Sequence, residues 1–148
     1  MRDDGGVSDA PLTLYLVKRL ELVIRARMDE ALRSFGLTAT QFTALTVLRR
    51  RAGLSSAQLA RRSFVTPQTM NEMVRWLEQR GHIERHRDPA NRRVLLISLT
   101  DSGRYLLQRC DPVVAEIEAE LLGAIPESEQ AVFRQGLEAA HDALSGRG

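Results

Sequence analysis

Two adjacent arginines, Arg92 and Arg93, end a turn-forming cluster that reads DPANRR. The segments on either side of it, HIERHR (82–87) and VLLISL (94–99), are typical of short β-strands, and the Pro, Asp and Asn between them favour a tight turn. The sequence therefore predicts a β-hairpin whose tip carries two guanidinium groups. A projecting cationic tip suits a narrow and strongly negative slot, and the minor groove of DNA is such a slot.

A second set of residues with recognisable chemistry lies on a predicted helix that begins with TPQT. Thr66 is the expected N-cap, and Pro67 takes the first helical position, where its missing N–H costs nothing. The apolar stripe of this helix consists of Met70, Met73, Val74 and Leu77. The opposite face carries Thr66, Pro67, Gln68, Thr69, Asn71 and Arg75. Gln and Asn can pair with adenine, Arg with guanine, and a proline ring or threonine methyl group can touch thymine, so this face suits the reading of base edges.

A short helix is predicted immediately before this one, opened by the capping box SSAQ (55–58) and ending near residue 63. Four of its residues are candidates for phosphate contacts, which position a protein on DNA without reading sequence: Ser55, Ser56, Arg61 and Arg62. A short helix, a three-residue break, a second helix and a hairpin make a winged helix-turn-helix. In that arrangement the second helix enters the major groove and the hairpin reaches the adjacent minor groove.

Four longer helices are predicted from three- and four-residue spacing of apolar side chains, over residues 11–34, 38–51, 101–123 and 127–144. The expected fold class is therefore mainly α with a small β-hairpin wing: a winged helix-turn-helix flanked by N- and C-terminal dimerisation helices.

We divide the chain into a flexible N-terminus (1–10) and a single domain (11–148). Within that domain, residues 38–100 are the expected DNA-binding lobe, and residues 11–35 with 101–145 are the expected helical dimerisation region. The long helices carry more apolar surface than a domain of this size can bury internally, which predicts a homodimer with a two-fold axis. Such a dimer would match a pseudo-palindromic operator, and a monomer with a larger internal bundle is the alternative.

The net charge of +2 conceals an uneven distribution. Residues 1–48 are neutral, residues 49–93 carry eleven arginines against four acidic residues, a net charge of +7, and residues 94–148 carry a net charge of −5. A basic middle between neutral and acidic flanks predicts a surface that binds a polyanion. Double-stranded DNA is favoured because of the polar Gln, Thr and Asn face, and the alternative function is a winged-helix module that docks an acidic partner protein.

Other classes of function find little support in the sequence. It has no phosphate-binding loop, nucleophile elbow or pair of acids in a plausible cleft, so it predicts neither an enzyme nor a bound cofactor. Cys110 is the only cysteine, which suits a reducing cytoplasm, and no acid cluster near His82, His86 or His141 completes a metal site. We expect neither a signal peptide nor a membrane partner, because no apolar run is long enough for either.

The sequence from about residue 38 to residue 103 resembles the MarR family of bacterial transcription regulators. TATQF (38–42) is similar to the opening of the family's second helix, LEQRGHIER (77–85) to the end of its recognition helix and first wing strand, and RDPANRRVLLISLTDSG (87–103) to its wing signature. The resemblance implies a dimer in which Arg93 is the minor-groove arginine and Arg92 its neighbour. Asn91 stands where the family usually has an aspartate that holds the wing arginine by a salt bridge. We therefore expect a less rigid wing here unless Asp88 substitutes.

The resemblance also implies a repressor that is released by a small aromatic or anionic effector, bound in a cleft between the dimerisation helices and the DNA-binding lobe. The candidate lining residues are Tyr15, Arg19, Arg25 and Trp76, with packing or interface roles favoured for Tyr15 and Trp76. Some relatives sense oxidants through a cysteine near the start of the first helix, but that segment here reads LTLYLV (12–17). Cys110 lies on an apolar stripe of a later helix and is expected to be an inert core thiol.

Overall fold

A winged helix-turn-helix lies at the centre of an otherwise helical chain. The computed structural model describes residues 12–146. In chain order its elements are α1 (Thr13–Leu32), a 3₁₀ turn (Arg33–Phe35), α2 (Ala39–Arg50), α3 (Ser56–Arg62), α4 (Pro67–Gln79), β1 (Ile83–Arg87), β2 (Leu95–Leu99), α5 (Asp101–Gly123) and α6 (Glu127–Ser145). These elements confirm the expected fold class, mainly α with a small β-hairpin. The N-terminal segment predicted to be flexible, residues 1–10, lies outside the described residues.

Local sequence signals set the ends of most helices. Thr38 and Ser55 each accept a hydrogen bond from the backbone three residues on, and the glutamine there returns one, so both predicted capping boxes form. Thr66 caps α4 with Pro67 as its first residue, as predicted. α1 ends two residues earlier than expected, because the chain tightens into the 3₁₀ turn before Gly36, whose φ of 73° terminates the helical path.

The hydrophobic core fills the space between α2, α3, α4, the sheet and the first half of α5. The predicted apolar stripe of α4 is buried along its whole length. The largest fully buried side chains include Leu45, Leu48, Leu59, Met70, Leu77, Ile97 and Leu107. Burial of a side chain of this size stabilises a fold by about 1.5–3 kcal/mol. This core therefore fixes α4 against the base of the wing.

The two strands of the wing pair antiparallel, with Ile83 opposite Leu99. Ile97 also bridges to Leu54, in the loop between α2 and α3, through N–H···O bonds of 2.7 and 3.2 Å. Of the three residues that share one face of β2, Ile97 and Leu99 are buried but Leu95 is 39% exposed, because the hairpin extends beyond the core at that point. The base of the wing is thus part of the core, and its tip projects from it.

Gly103, near the start of α5, packs against the backbone at the base of the wing. A Cβ atom at this position would overlap the carbonyl oxygen of His82 and lie 3.1 Å from its carbonyl carbon. That oxygen accepts a hydrogen bond from Thr100 N–H at 3.2 Å, and the Thr100 hydroxyl donates to the Gly81 carbonyl oxygen at 2.6 Å. α5 and the chain entering β1 therefore meet backbone to backbone, at a distance that only glycine allows.

The terminal helices are largely uncovered in a single chain. Leu32 is the only buried residue of α1, and no residue of α6 is buried. Exposed apolar side chains on or next to these two helices include Leu12, Leu14, Leu16, Val17, Val23, Val132, Leu137 and Leu144. Contiguous apolar surface of this kind usually marks an interface.

Candidate nucleic-acid interface

The residues predicted to read DNA bases lie together on the solvent face of α4. Exposed opposite its buried stripe are Thr66, Pro67, Gln68, Thr69, Asn71 and Arg75. Thr69 N–H donates to Thr66 Oγ1 at 3.1 Å, and the Ser56 hydroxyl donates to Asn71 Oδ1 at 2.8 Å. The second bond orients the Asn71 amide so that its NH₂ group stays available to an acceptor on a base edge.

Ser55 and Ser56, predicted to contact phosphates, already have partners inside the protein. Ser55 Oγ accepts the N–H of Gln58 at 3.2 Å, while Ser56 donates to Asn71. An accepting hydroxyl can still donate its proton to a phosphate oxygen, so Ser55 can fill both roles, whereas the proton of Ser56 is already used. The phosphate role of the two serines stays a prediction.

The arginines predicted for DNA contact on α3 and α4 carry uncompensated charge. Arg61, Arg62 and Arg75 are exposed, and the salt bridges formed within residues 12–146 all involve other cations. By contrast, Arg49 pairs with Asp111 at 2.8 Å. The positive field predicted from the sequence is therefore present at these positions without neutralising carboxylates.

The wing tip presents Arg92 and Arg93 to solvent, and among the described residues no carboxylate pairs with either. Asp88 Oδ1 accepts the Ala90 N–H at 2.9 Å, and Asn91 Oδ1 accepts the Arg93 N–H at 3.2 Å. Asp88 thus braces the turn and does not take over the salt bridge of the family's aspartate. Asn91 holds the backbone of Arg93 and leaves its guanidinium group free.

A two-bond salt bridge ties the wing to the recognition helix. Arg85 on β1 donates from Nε and from a terminal nitrogen to the two carboxylate oxygens of Glu78 on α4, both at 2.8 Å. This bond lowers the pKa of the Glu78 carboxyl and raises the pKa of Arg85. The wing therefore holds a defined angle to the face of α4.

His82 and Cys110 lie in buried surroundings that suit a structural role. Burial, and secondly the charge of Arg80, lowers the pKa of His82, whose Nδ1 is buried without a hydrogen-bond partner, while His86 is exposed on β1. Cys110 is fully buried, and burial raises the pKa of its thiol. Within residues 12–146, no three His, Cys, Asp or Glu side chains are grouped so as to hold a metal ion. None of the helices in that range has the length and apolar character that a membrane crossing needs.

A cavity of about 730 Å³ opens between α1, the start of α2, the α3–α4 turn, α5 and α6. Of the four residues predicted to line a ligand cleft, Arg25 lines this cavity, and Tyr15, Arg19 and Trp76 are not among its lining residues. Arg19 stacks over the exposed Tyr15 ring at 5.7 Å. Trp76 is half-buried, with the Arg80 guanidinium 4.2 Å from its ring centroid.

Three residues that the sequence did not single out line the same cavity: Phe64, Phe133 and Arg134. Phe64 belongs to the α3–α4 turn, and the other two belong to α6. Arg25 is paired with Glu21, whereas Arg134 has no salt bridge within the described part of the chain. Phe133 has the helical spacing of an ordinary apolar packing residue on α6, and no sequence signal separates such a residue from a cavity wall.

The helix pair, the exposed polar helix and the arginine-tipped hairpin define a winged helix-turn-helix protein of the DNA-binding class. Residues 35–94 match the sequence model of the MarR family. Over 134 residues the chain is 40% identical to the HTH-type transcriptional repressor Rv2887 of Mycobacterium tuberculosis, an alignment that covers 90% of this chain and 96% of that repressor. The chain belongs to the MarR family of transcription regulators, which confirms the resemblance noted in its sequence.

Two crystal structures of that Mycobacterium tuberculosis protein are also similar to this chain. Its complex with DNA superposes with a TM-score of 0.72 at 38% identity, covering 89% of this chain and 98% of that chain. Its complex with p-aminosalicylic acid superposes with a TM-score of 0.74 at 38% identity, covering 89% of this chain and 99% of that chain.

Proposed function

We propose that the protein is a homodimeric repressor that binds a pseudo-palindromic DNA operator and is released by a small aromatic carboxylate. The observation that carries the DNA-binding part is the exposed Gln, Thr and Asn face of α4 beside the free arginines of the wing. The DNA complex of the mycobacterial relative supports this assignment. In this proposal the protein catalyses no reaction and binds no cofactor.

Residues 38–100 act as the DNA-binding lobe in this proposal. Gln68, Asn71 and Arg75 read base edges in the major groove, since amide and guanidinium groups match adenine and guanine there. Arg93 enters the adjacent minor groove, where the negative potential is enhanced. Arg61 and Arg62 contribute phosphate contacts, which set the register without reading sequence.

The exposed apolar faces of α1 and α6 form the dimer interface in this proposal. The apolar face of α1 and the exposed apolar side chains of α6 leave more apolar surface exposed than a monomer normally keeps, and a second copy would cover it. A two-fold dimer presents two α4 helices to successive major grooves and hence selects a pseudo-palindrome.

The effector site is the 730 Å³ cavity between the helical region and the DNA-binding lobe. Its wall is mainly apolar, and Arg134, which has no salt bridge within the described residues, offers a guanidinium group to a carboxylate. Arg25 is paired with Glu21, and Glu118 and Glu138 also line the cavity, so Arg134 is the cation on which anion binding depends. Phe64 lies two residues before the N-cap of α4, so a ligand that displaces this ring would move the start of the recognition helix. The relative solved with p-aminosalicylic acid suggests the ligand class.

Selection from a random duplex library, followed by fluorescence anisotropy, tests the DNA-binding part. We expect a pseudo-palindromic consensus, and a log–log salt slope of about −0.9 for each phosphate contacted. Arg93→Ala should weaken binding by about 1.5 kcal/mol, roughly tenfold, because a charged hydrogen bond is removed. The matched control is Arg33→Ala, since Arg33 is exposed in the 3₁₀ turn, away from the interface. Binding that ignores salt, or no enriched sequence, would favour a module that docks an acidic protein.

Titration of the protein–operator complex with salicylate and p-aminosalicylate tests the effector part. Release should require less ligand for the native protein than for Arg134→Gln, which keeps a polar hydrogen-bonding side chain but removes its charge. Glu127→Gln, on the same helix but outside the cavity, serves as the control. Equal release of the native protein and Arg134→Gln would remove Arg134 from the effector site.

A further inference from the structure

A second cavity, of about 630 Å³, lies where the C-terminal ends of α2, α3 and α6 meet. Four arginines line it, two from the end of α2 and two from α3: Arg50, Arg51, Arg61 and Arg62. Phe64 and His141 close one side. The sequence predicted DNA contacts for Arg61 and Arg62 but assigned no site to Arg50 and Arg51.

The four guanidinium groups are not neutralised by the protein. All four side chains belong to exposed residues, and none forms a salt bridge within residues 12–146. Arg49, the neighbour of Arg50, is paired with Asp111, so the same helix end does hold a compensated arginine. Like charges that converge on one concave surface repel each other and are stabilised when an anion binds between them.

Phe64 gives the cavity an aromatic wall. Its side chain is 78% exposed, and its backbone has a φ of 60°, a conformation that disfavours a residue with a Cβ atom. The ring contacts His141 edge to face, with 6.4 Å between the ring centroids. Core packing does not explain why a phenylalanine occupies this strained backbone position, because its side chain is exposed. The exposed ring can instead stack on a planar ligand.

We infer that this arginine pocket binds phosphate groups. Guanidinium groups bind phosphate oxygens through two parallel hydrogen bonds, and four of them around one cavity can bind a chain of phosphates. The open face of Phe64 adds a stacking surface, so a free nucleoside polyphosphate fits the whole cavity. The phosphates of a DNA backbone that passes the flank of α3 are the other source of the same chemistry.

Isothermal titration of the DNA-free, full-length protein with ATP and with tripolyphosphate tests the free-ligand source. We expect both to bind, and the double variant Arg50→Gln/Arg51→Gln should weaken both at least tenfold. The matched control, Arg33→Gln/Arg109→Gln, removes the same charge from exposed positions that lie outside the cavity and form no salt bridge within residues 12–146, and it should change affinity less than twofold. Phe64→Ala should weaken ATP and leave tripolyphosphate unchanged, because only the nucleotide has a base to stack.

The operator complex tests the DNA source. If the pocket holds backbone phosphates, Arg50→Gln/Arg51→Gln will reduce the magnitude of the salt slope by about 0.9 for each phosphate that the variant no longer binds, and the control pair will leave the slope unchanged. The inference is overturned if the native protein binds neither ATP nor tripolyphosphate and if Arg50→Gln/Arg51→Gln leaves the salt slope unchanged. Circular dichroism of the variant must show a native fold. Because the titration uses no operator, its outcome is independent of whether the proposed repressor function holds.

Discussion

Replacement of Gly103 by alanine should destabilise the protein although it improves the intrinsic helix propensity of α5. The propensity gain is about 1 kcal/mol. Against it, the new Cβ atom would overlap the His82 carbonyl oxygen and lie 3.2 Å from Leu99 Cδ2. Overpacking of this kind costs about 1–3 kcal/mol. Displacing that carbonyl also strains the Thr100–His82 backbone hydrogen bond, worth about 1 kcal/mol. We expect a net decrease of about 1–3 kcal/mol in the free energy of unfolding.

Urea unfolding at one fixed protein concentration measures this decrease, because the stability of a dimer depends on concentration. Gly136→Ala is the matched control: Gly136 lies inside α6, and a Cβ atom there would meet no atom of the chain within 4 Å. This control should be neutral or stabilising by up to about 1 kcal/mol. If Gly103→Ala stabilised the protein as much as the control does, the close approach of α5 to the base of the wing would be disproved.

Three further outcomes follow from the titratable groups. Burial lowers the pKa of His82 below its ordinary 6.5, so on acidification the unfolded chain takes up this proton before the folded one. The free energy of unfolding should therefore fall as the pH drops below about 6.5. His82→Gln should make that fall less steep, as measured by urea unfolding at about pH 5 to 8. Glu78→Gln should lower the free energy of unfolding by less than about 1 kcal/mol at pH 7, since the Arg85–Glu78 pair is about a third exposed. Because the pair lowers the pKa of Glu78, this difference should shrink as the pH falls below about 4.5 and be lost once the pH is below the lowered pKa. Cys110, fully buried and with its thiol pKa raised, should resist iodoacetamide until urea unfolds the chain; fast labelling of the native protein, followed by mass spectrometry, would contradict the core assignment.

The sequence predicted best what depends on neighbours along the chain. The capping boxes at Thr38 and Ser55, and the N-cap at Thr66, use side chains within three residues of the backbone groups they satisfy. The buried stripe and polar face of α4 follow from helical periodicity alone. The hairpin follows from turn residues between a polar segment, 82–87, and an apolar one, 94–99, both of strand length.

The positions of residues relative to distant elements were harder to predict. Leu95 has the right spacing for the buried face of β2, yet it lies past the edge of the core, which no local pattern reveals. Tyr15 and Trp76 are aromatic residues on the expected helices, but the rotation of each helix decides which side chains reach the cavity. Arg134 reaches the cavity because α6 lies across it from α1 and the α3–α4 turn, which are segments far from α6 in sequence.

Phe64 is the only non-glycine residue in the described part of the chain with a positive φ, and its ring lines both cavities. A left-handed backbone costs an ordinary residue roughly 1–2 kcal/mol, so a glycine or an asparagine would relax the turn. The same exchange would remove the aromatic ring that lines both cavities. Selection for thermal stability and selection for ligand binding would therefore favour different residues at position 64.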